Sequence, residues 1–143
     1  MGQKGEPGDV DKKILAEAVK FHGHLGPFLV LGLKAGLYAT KILGRDPMKM
    51  KAIIKTHTHP PHSCFADGVQ FSTGCTLGKR NITLEEENGL TVTFIKGESR
   101  ITLELKDAVL RELENVPFGD LENTAIEILK RKMNELFEIK KLQ

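Results

Sequence analysis

Residues 27–43, Pro-Phe-Leu-Val-Leu-Gly-Leu-Lys-Ala-Gly-Leu-Tyr-Ala-Thr-Lys-Ile-Leu, carry apolar side chains on nearly every face of a helical wheel. Pro27 suits the first turn of a helix and Gly44 suits its end. A helix that is apolar all round has to be buried, so the rest of the chain must wrap around it. Its longest unbroken apolar run, from Phe28 to Leu33, is far short of the roughly 20 residues that span a bilayer. A chain of 143 residues is long enough to do the wrapping with one ordinary core.

The flanking segments supply the remaining elements. Asp9 is a candidate N-cap for a helix over about residues 10–20, whose apolar face is Val10, Ile14, Leu15, Ala18 and Val19. Residues 1–8 read as a disordered lead-in, and 9–143 as one core domain. Residues 51–57 read as a strand running into a loop rich in histidine and proline. Ser63 then caps a helix over about 64–72, which Thr73-Gly74 ends. Three β-type runs follow at 81–85, 90–95 and 100–105, with hairpin signals at Asn88-Gly89 and Lys96-Gly97. The remainder reads as helical, over 107–114 and then about 120–140, with a break at Val116-Pro117. Helices flanking consecutive hairpins indicate an α+β class with an antiparallel sheet.

Charge excludes some functions. With 21 basic and 19 acidic side chains and no dominant basic stripe, the chain shows no footprint for nucleic acid. The N-terminal residues lack the apolar stretch of a signal peptide, which points to the cytoplasm. There a cysteine pair is more often metal-binding or reactive than disulfide-bonded. Plentiful lysine and glutamate with few glutamine and aromatic residues lean towards a thermophile.

The 5 histidines fall in two clusters, His22 with His24, and His57 with His59 and His62. Cys64 lies just beyond the second cluster and Cys75 further on. Imidazole and thiolate suit zinc and related borderline divalent metals. Residues two apart share a face only on extended backbone, so His22 and His24 can grip one ion only if residues 21–25 are not helical. His57 and His59 share a face at a strand end. A continuous helix between the cysteines would hold them roughly 16 Å apart, at about 1.5 Å per residue. Only a fold-back of Cys75 after Gly74, or a second protomer, would unite them. Cys64 in a first helical turn is expected to have a depressed pKa.

The segment Thr73-Gly-Cys-Thr-Leu-Gly-Lys-Arg-Asn81 has two readings. Its glycines, threonines and Lys79 could cradle an anion, with Cys75 as a reactive thiol; alternatively it is a helix terminus and a turn.

Three ordered blocks resemble the E-subunit family of formylmethanofuran dehydrogenase. They are Phe21-His-Gly-His-Leu-Gly-Pro-Phe-Leu-Val-Leu-Gly32, Cys64-Phe-Ala-Asp-Gly-Val-Gln70 and Thr73-Gly-Cys-Thr-Leu-Gly-Lys-Arg-Asn81. The resemblance spans about residues 10–140. It implies an α+β core whose antiparallel sheet is like that of the second domain of glyceraldehyde-3-phosphate dehydrogenase, assembled as a homodimer. It maps the shared polar positions onto His22, His24, Cys64, Asp67, Gln70, Cys75 and Lys79, in a metal-associated cleft. Gly26 stands where the family often has a cysteine, and the four-cysteine zinc finger of many members is not found here.

The expected function is a metal-binding accessory domain associated with a molybdenum or tungsten redox enzyme or with one-carbon metabolism. Zinc or another divalent transition metal would be held by His22, His24 and Cys64. Cys75, His59, His62, Asp67, Gln70 and Lys79 are possible further ligands or substrate contacts. The competing reading is a small stand-alone metalloenzyme, using a metal-bound water or the Cys64 thiolate. A third is a dimeric structural module without a ligand.

Overall fold

The structure is a computed structural model that describes residues 5–142. The elements run α1 (Lys12–His22), α2 (Pro27–Leu43), β1 (Met50–Thr56), α3 (Cys64–Thr73), β2 (Ile82–Glu86), β3 (Thr91–Lys96), β4 (Ser99–Leu105) and α4 (Asp107–Glu114). A 3₁₀ turn at Phe118–Asp120 leads into α5 (Leu121–Lys130), the single turn α6 (Met133–Leu136) and β5 (Phe137–Leu142).

As its composition demands, α2 is the hub, with Phe28, Leu29, Val30, Leu31, Leu33, Ala35 and Ala39 all buried. It packs along α3 and α5. Its approach to α3 is backbone on backbone. A Cβ on Gly68 would meet the Leu29 carbonyl oxygen, Leu33 N at 2.7 Å and Gly32 C at 2.9 Å. A Cβ on Gly32 would drive into the Phe65 carbonyl oxygen. Glycine at both positions is therefore what lets α3 lie against α2, and that contact sets where the α3 N-terminus stands.

The sheet has strand order β2-β1-β3-β4-β5. Alternate residues of the central strands are buried, Met50, Ala52, Ile54 and Thr56 on β1 and Ile101, Leu103 and Leu105 on β4. That period-2 pattern covers one face with helices.

The α+β class holds, but the sheet is mixed rather than antiparallel. β1 and β2 run parallel, with Ala52 opposite Ile82 and Thr56 opposite Glu86. A parallel neighbour needs a crossover, and α3 provides it. Asn88-Gly89 is consequently not a hairpin. It carries the chain past the end of β1, with the Thr56 hydroxyl donating to the Gly89 carbonyl at 2.7 Å. The turn at Gly97 is the true hairpin, joining β3 to β4 in antiparallel register.

The terminal helix expected to run to residue 140 stops at Lys130. Residues 137–142 instead pair antiparallel with β4, placing Phe137 opposite Leu105 and Ile139 opposite Leu103. The open edge of β4 and the alternation Phe-Glu-Ile-Lys outweigh helical propensity there. At the other end, Asp11 rather than Asp9 caps α1, its Oδ1 accepting from Ile14 N at 2.8 Å. Asp9 accepts instead from Glu6 N. Of the expected lead-in, residues 1–4 lie outside the described residues, and Asp9 N donates to the Glu6 carbonyl in a turn at 3.0 Å. Among the described residues no helix is long and apolar enough to cross a membrane.

Candidate metal centre

Two helix ends build the site. α1 stops at Gly23, which takes the left-handed conformation (φ 110°) and returns its N–H to the Val19 carbonyl. This conformation favours glycine. Phe21 and His22 remain helical, contrary to the expectation of an extended segment, and the turn at Gly23 alone brings His24 back over His22. Their ring centroids are 4.6 Å apart and their Nε2 atoms 3.1 Å apart.

α3 begins at Cys64, and Asp67 follows three residues later on the same helix face. The Asp67 Oδ2 lies 2.6 Å from His22 Nδ1. A carboxylate demands the proton on Nδ1, which leaves the His22 Nε2 lone pair directed at His24 and Cys64. His22, His24 and Cys64 each place one ligand atom within 4.8 Å of the others.

The donor set fits a borderline divalent cation. Tetrahedral zinc with bonds of about 2.0–2.1 Å to nitrogen sets its nitrogens about 3.3 Å apart, close to the observed separation. The carboxylate on His22 is the outer-shell partner that ligating histidines ordinarily have. Three protein ligands leave a coordination position for water or substrate.

The Cys64 thiol departs from expectation. Its pKa is raised rather than depressed, because burial disfavours the thiolate and the Asp67 carboxylate repels it. Both effects outweigh the helix N-terminus. Such a thiol is a poor free nucleophile, and it would release its proton on ligating a cation.

The other expected residues are distributed elsewhere. Cys75 lies beyond the Gly74 cap at the far end of α3, fully buried, with Sγ donating to the Met50 carbonyl at 3.4 Å. It is thus a core residue, not an exposed reactive thiol, and it does not meet Cys64. Lys79 Nζ donates to the Gly74 carbonyl at 2.6 Å and to Thr76 Oγ1 at 3.0 Å. Gln70 Oε1 accepts from Leu77 N. The loop of residues 73–81 is therefore a helix terminus and turn, held by Lys79, Gln70 and Asn81 rather than arranged around an anion. His59 is exposed and stacks on His57 at 5.7 Å. His62 is buried, next to His57 and away from the first group. Sequence reasoning passed over Glu86 and Glu114, the carboxylate partners of His57 and His62, because they lie 29 and 52 residues away.

A cleft of about 670 Å³ opens beside the centre, lined by His24 and Cys64 together with Leu113, Val116, Phe118 and Leu121. Its walls are apolar, and Phe118 stands 90% exposed at the rim.

Comparison with known proteins agrees with this architecture. A solved FmdE-like protein of tungsten formylmethanofuran dehydrogenase, from Syntrophus aciditrophicus, superposes with a TM-score of 0.63. The match covers 92% of this chain and 71% of that one at 17% identity, a likeness of fold alone. A curated relative from Archaeoglobus fulgidus, named a probable S-adenosyl-L-methionine-binding protein, is 34% identical over 89 residues. That alignment covers 56% of this chain but only 23% of the relative, so the chain spans less than a quarter of that protein's length. The family described as "FmdE, Molybdenum formylmethanofuran dehydrogenase operon" matches residues 21–139, which include α2, α3, the whole cluster of His22, His24 and Cys64, and most of the sheet. The chain belongs to this FmdE family.

Proposed function

We propose that the protein is a metal-binding accessory domain of a formylmethanofuran-dehydrogenase-type system, holding zinc or another divalent transition metal through His22, His24 and Cys64. The observation that carries this reading is the convergence of the three ligand atoms within 4.8 Å. Asp67 supports it by fixing the His22 tautomer from outside the ligand set. Family membership supports the link to a dehydrogenase system. Metal analysis of untagged protein tests it. Replacing His22 and His24 by alanine should abolish binding at this centre, and an H22A/H24A variant that keeps the wild-type metal content overturns the reading.

A second reading, a small metalloenzyme, is favoured by the cleft that reaches His24 and Cys64. When bound, the metal would supply a Lewis acid and an acidified water there. Of the protein's own groups, His22 and His24 would orient that ion, and Leu113, Val116 and Leu121 would exclude bulk water. The name of the Archaeoglobus relative supplies one ligand to test in this cleft, S-adenosyl-L-methionine.

A homodimer also belongs to this proposal, on a different footing from the sequence argument. The apolar surface of α2 is buried within one chain, and Cys75 has a place in the core, so neither requires a partner. Exposed Phe118 beside the cleft is what supports association. Light scattering at micromolar concentration should show a dimer, and a metal-loaded monomer contradicts it.

A further inference from the structure

A second group of ligating side chains lies on the other side of the cleft. β1 ends at Thr56, so His57 emerges at the sheet end where Glu86 closes the parallel register of β2. His57 Nδ1 donates to Glu86 Oε2 at 2.8 Å, and Thr58 N and Oγ1 both donate to Oε1 at 2.9 Å. Glu86 is therefore fully engaged as an acceptor, and it fixes the His57 tautomer with Nε2 free. These donors hold the Glu86 carboxyl down to about 2, with the His57 hydrogen bond the largest cause.

His62 precedes α3, with its ring 4.8 Å from that of His57 and 4.9 Å from Phe28. Its side chain is only 10% exposed. Nε2 lies 2.8 Å from Oε2 of Glu114, the last residue of α4. Nδ1 is buried without any hydrogen-bond partner. A hydrogen bond to an exposed glutamate requires neither the second imidazole nor the burial. Leaving a buried polar nitrogen unpartnered costs about 1–3 kcal/mol. His57, His62 and Glu114 each bring one ligand atom within 4.8 Å of the others.

We propose that His57, His62 and Glu114 form a second metal site, for a borderline divalent cation such as zinc, with Glu86 as the positioning residue for His57. The site is independent of the His22–His24–Cys64 centre. Two imidazoles and one carboxylate form the donor set of open, water-bearing zinc sites, whereas the first centre contributes a thiol. Both border the same cleft, His24 and Cys64 on one side and His62 and Glu114 on the other. A small molecule in the cleft would therefore face two cations of different ligand softness.

The test is a titration of the full, untagged chain with Zn²⁺, read by calorimetry and elemental analysis, and with Co²⁺, read by absorbance. Cobalt at a site with a cysteine gives a thiolate charge-transfer band; cobalt at the second site gives none. The wild type should bind two equivalents. H57A/E114Q should bind one and keep the thiolate band. H22A/H24A should bind one and lose it. His57 and Glu114 are not buried, so this variant leaves the core intact, and circular dichroism checks that it does. The buried His62 is left in place. An H57A/E114Q variant that binds as many equivalents as the wild type overturns the proposal, as does a folded H22A/H24A variant that binds none. Loss of cobalt from H57A/E114Q with full retention by H22A/H24A would overturn the first centre and leave the second standing.

Discussion

Replacing Gly68 by alanine tests how the centre is positioned. The added Cβ would meet the Leu29 carbonyl, Leu33 N at 2.7 Å and Gly32 C at 2.9 Å, all backbone atoms of α2 that cannot rotate away. Relief to ordinary contact requires α3 to withdraw from α2 by about 0.5–1 Å, which forfeits roughly a quarter to a half of the dispersion well along the contact. Overpacking a core costs about 1–3 kcal/mol and more where only backbone can move. Alanine recovers about 1 kcal/mol of helix propensity relative to glycine. The net expectation is about 2 kcal/mol of destabilisation. At this length that is a fall in Tm of about 8 °C. The same withdrawal carries Cys64 away from His22 and His24, so zinc affinity should fall with stability. Thermal melts by circular dichroism read the first effect and calorimetry the second. Gly78, where a Cβ meets nothing within 4 Å, is the control, and G78A should melt like the wild type. A G68A protein melting within about 2 °C of the wild type refutes the backbone-contact argument, since the magnitudes used leave no compensating term.

Two further outcomes follow from particular side chains. D67N keeps the shape beside His22 but removes the carboxylate that holds Nδ1–H, so zinc affinity at the first centre should drop about 10–100-fold by competition titration. Unchanged affinity would mean Asp67 plays no part in orienting the ring. Lys34 is fully buried on α2 with one hydrogen bond, to the Leu129 carbonyl at 3.3 Å. Burial pulls its pKa down, opposed in part by the Asp9 carboxylate. K34M should be up to about 2 kcal/mol more stable at pH 7 by urea unfolding, because it removes a desolvated charge of similar volume. The sign with pH follows from linkage. A lowered folded pKa makes the wild type least stable while the amine is charged and relieves it as pH rises towards the unfolded value of about 10.4. The advantage of K34M should therefore shrink between neutral pH and that value. An advantage that grows with pH would contradict the assignment.

The parts of this molecule legible in the sequence are those set by local pattern. The bounds of α2 follow from Pro27, Gly44 and the apolar stretch between them, and α4 follows from its own periodicity. Pairing of His22 with His24 is readable from their spacing around a glycine, although the turn is tighter than extended backbone. What escapes a reading of the sequence depends on long-range partners. Nothing local to residues 82–86 says that they pair parallel to β1 rather than antiparallel to β3. Residues 137–142 form a strand because β4 has an edge to cover. The environment of Cys75 is decided by the Met50 carbonyl, 25 residues earlier. The raised pKa of Cys64 depends on burial that no helix-start signal reports. Glu114 enters the His57–His62 group from another helix.

Zinc-edge X-ray absorption on the H57A/E114Q protein loaded with one equivalent of Zn²⁺ tests the central claim most directly, because it counts the ligands of the first centre alone. The predicted shell is one sulfur at about 2.3 Å and two imidazole nitrogens at about 2.0–2.1 Å, with the remaining position filled by a light atom. A shell of nitrogen and oxygen only, with no sulfur at that distance, would contradict it.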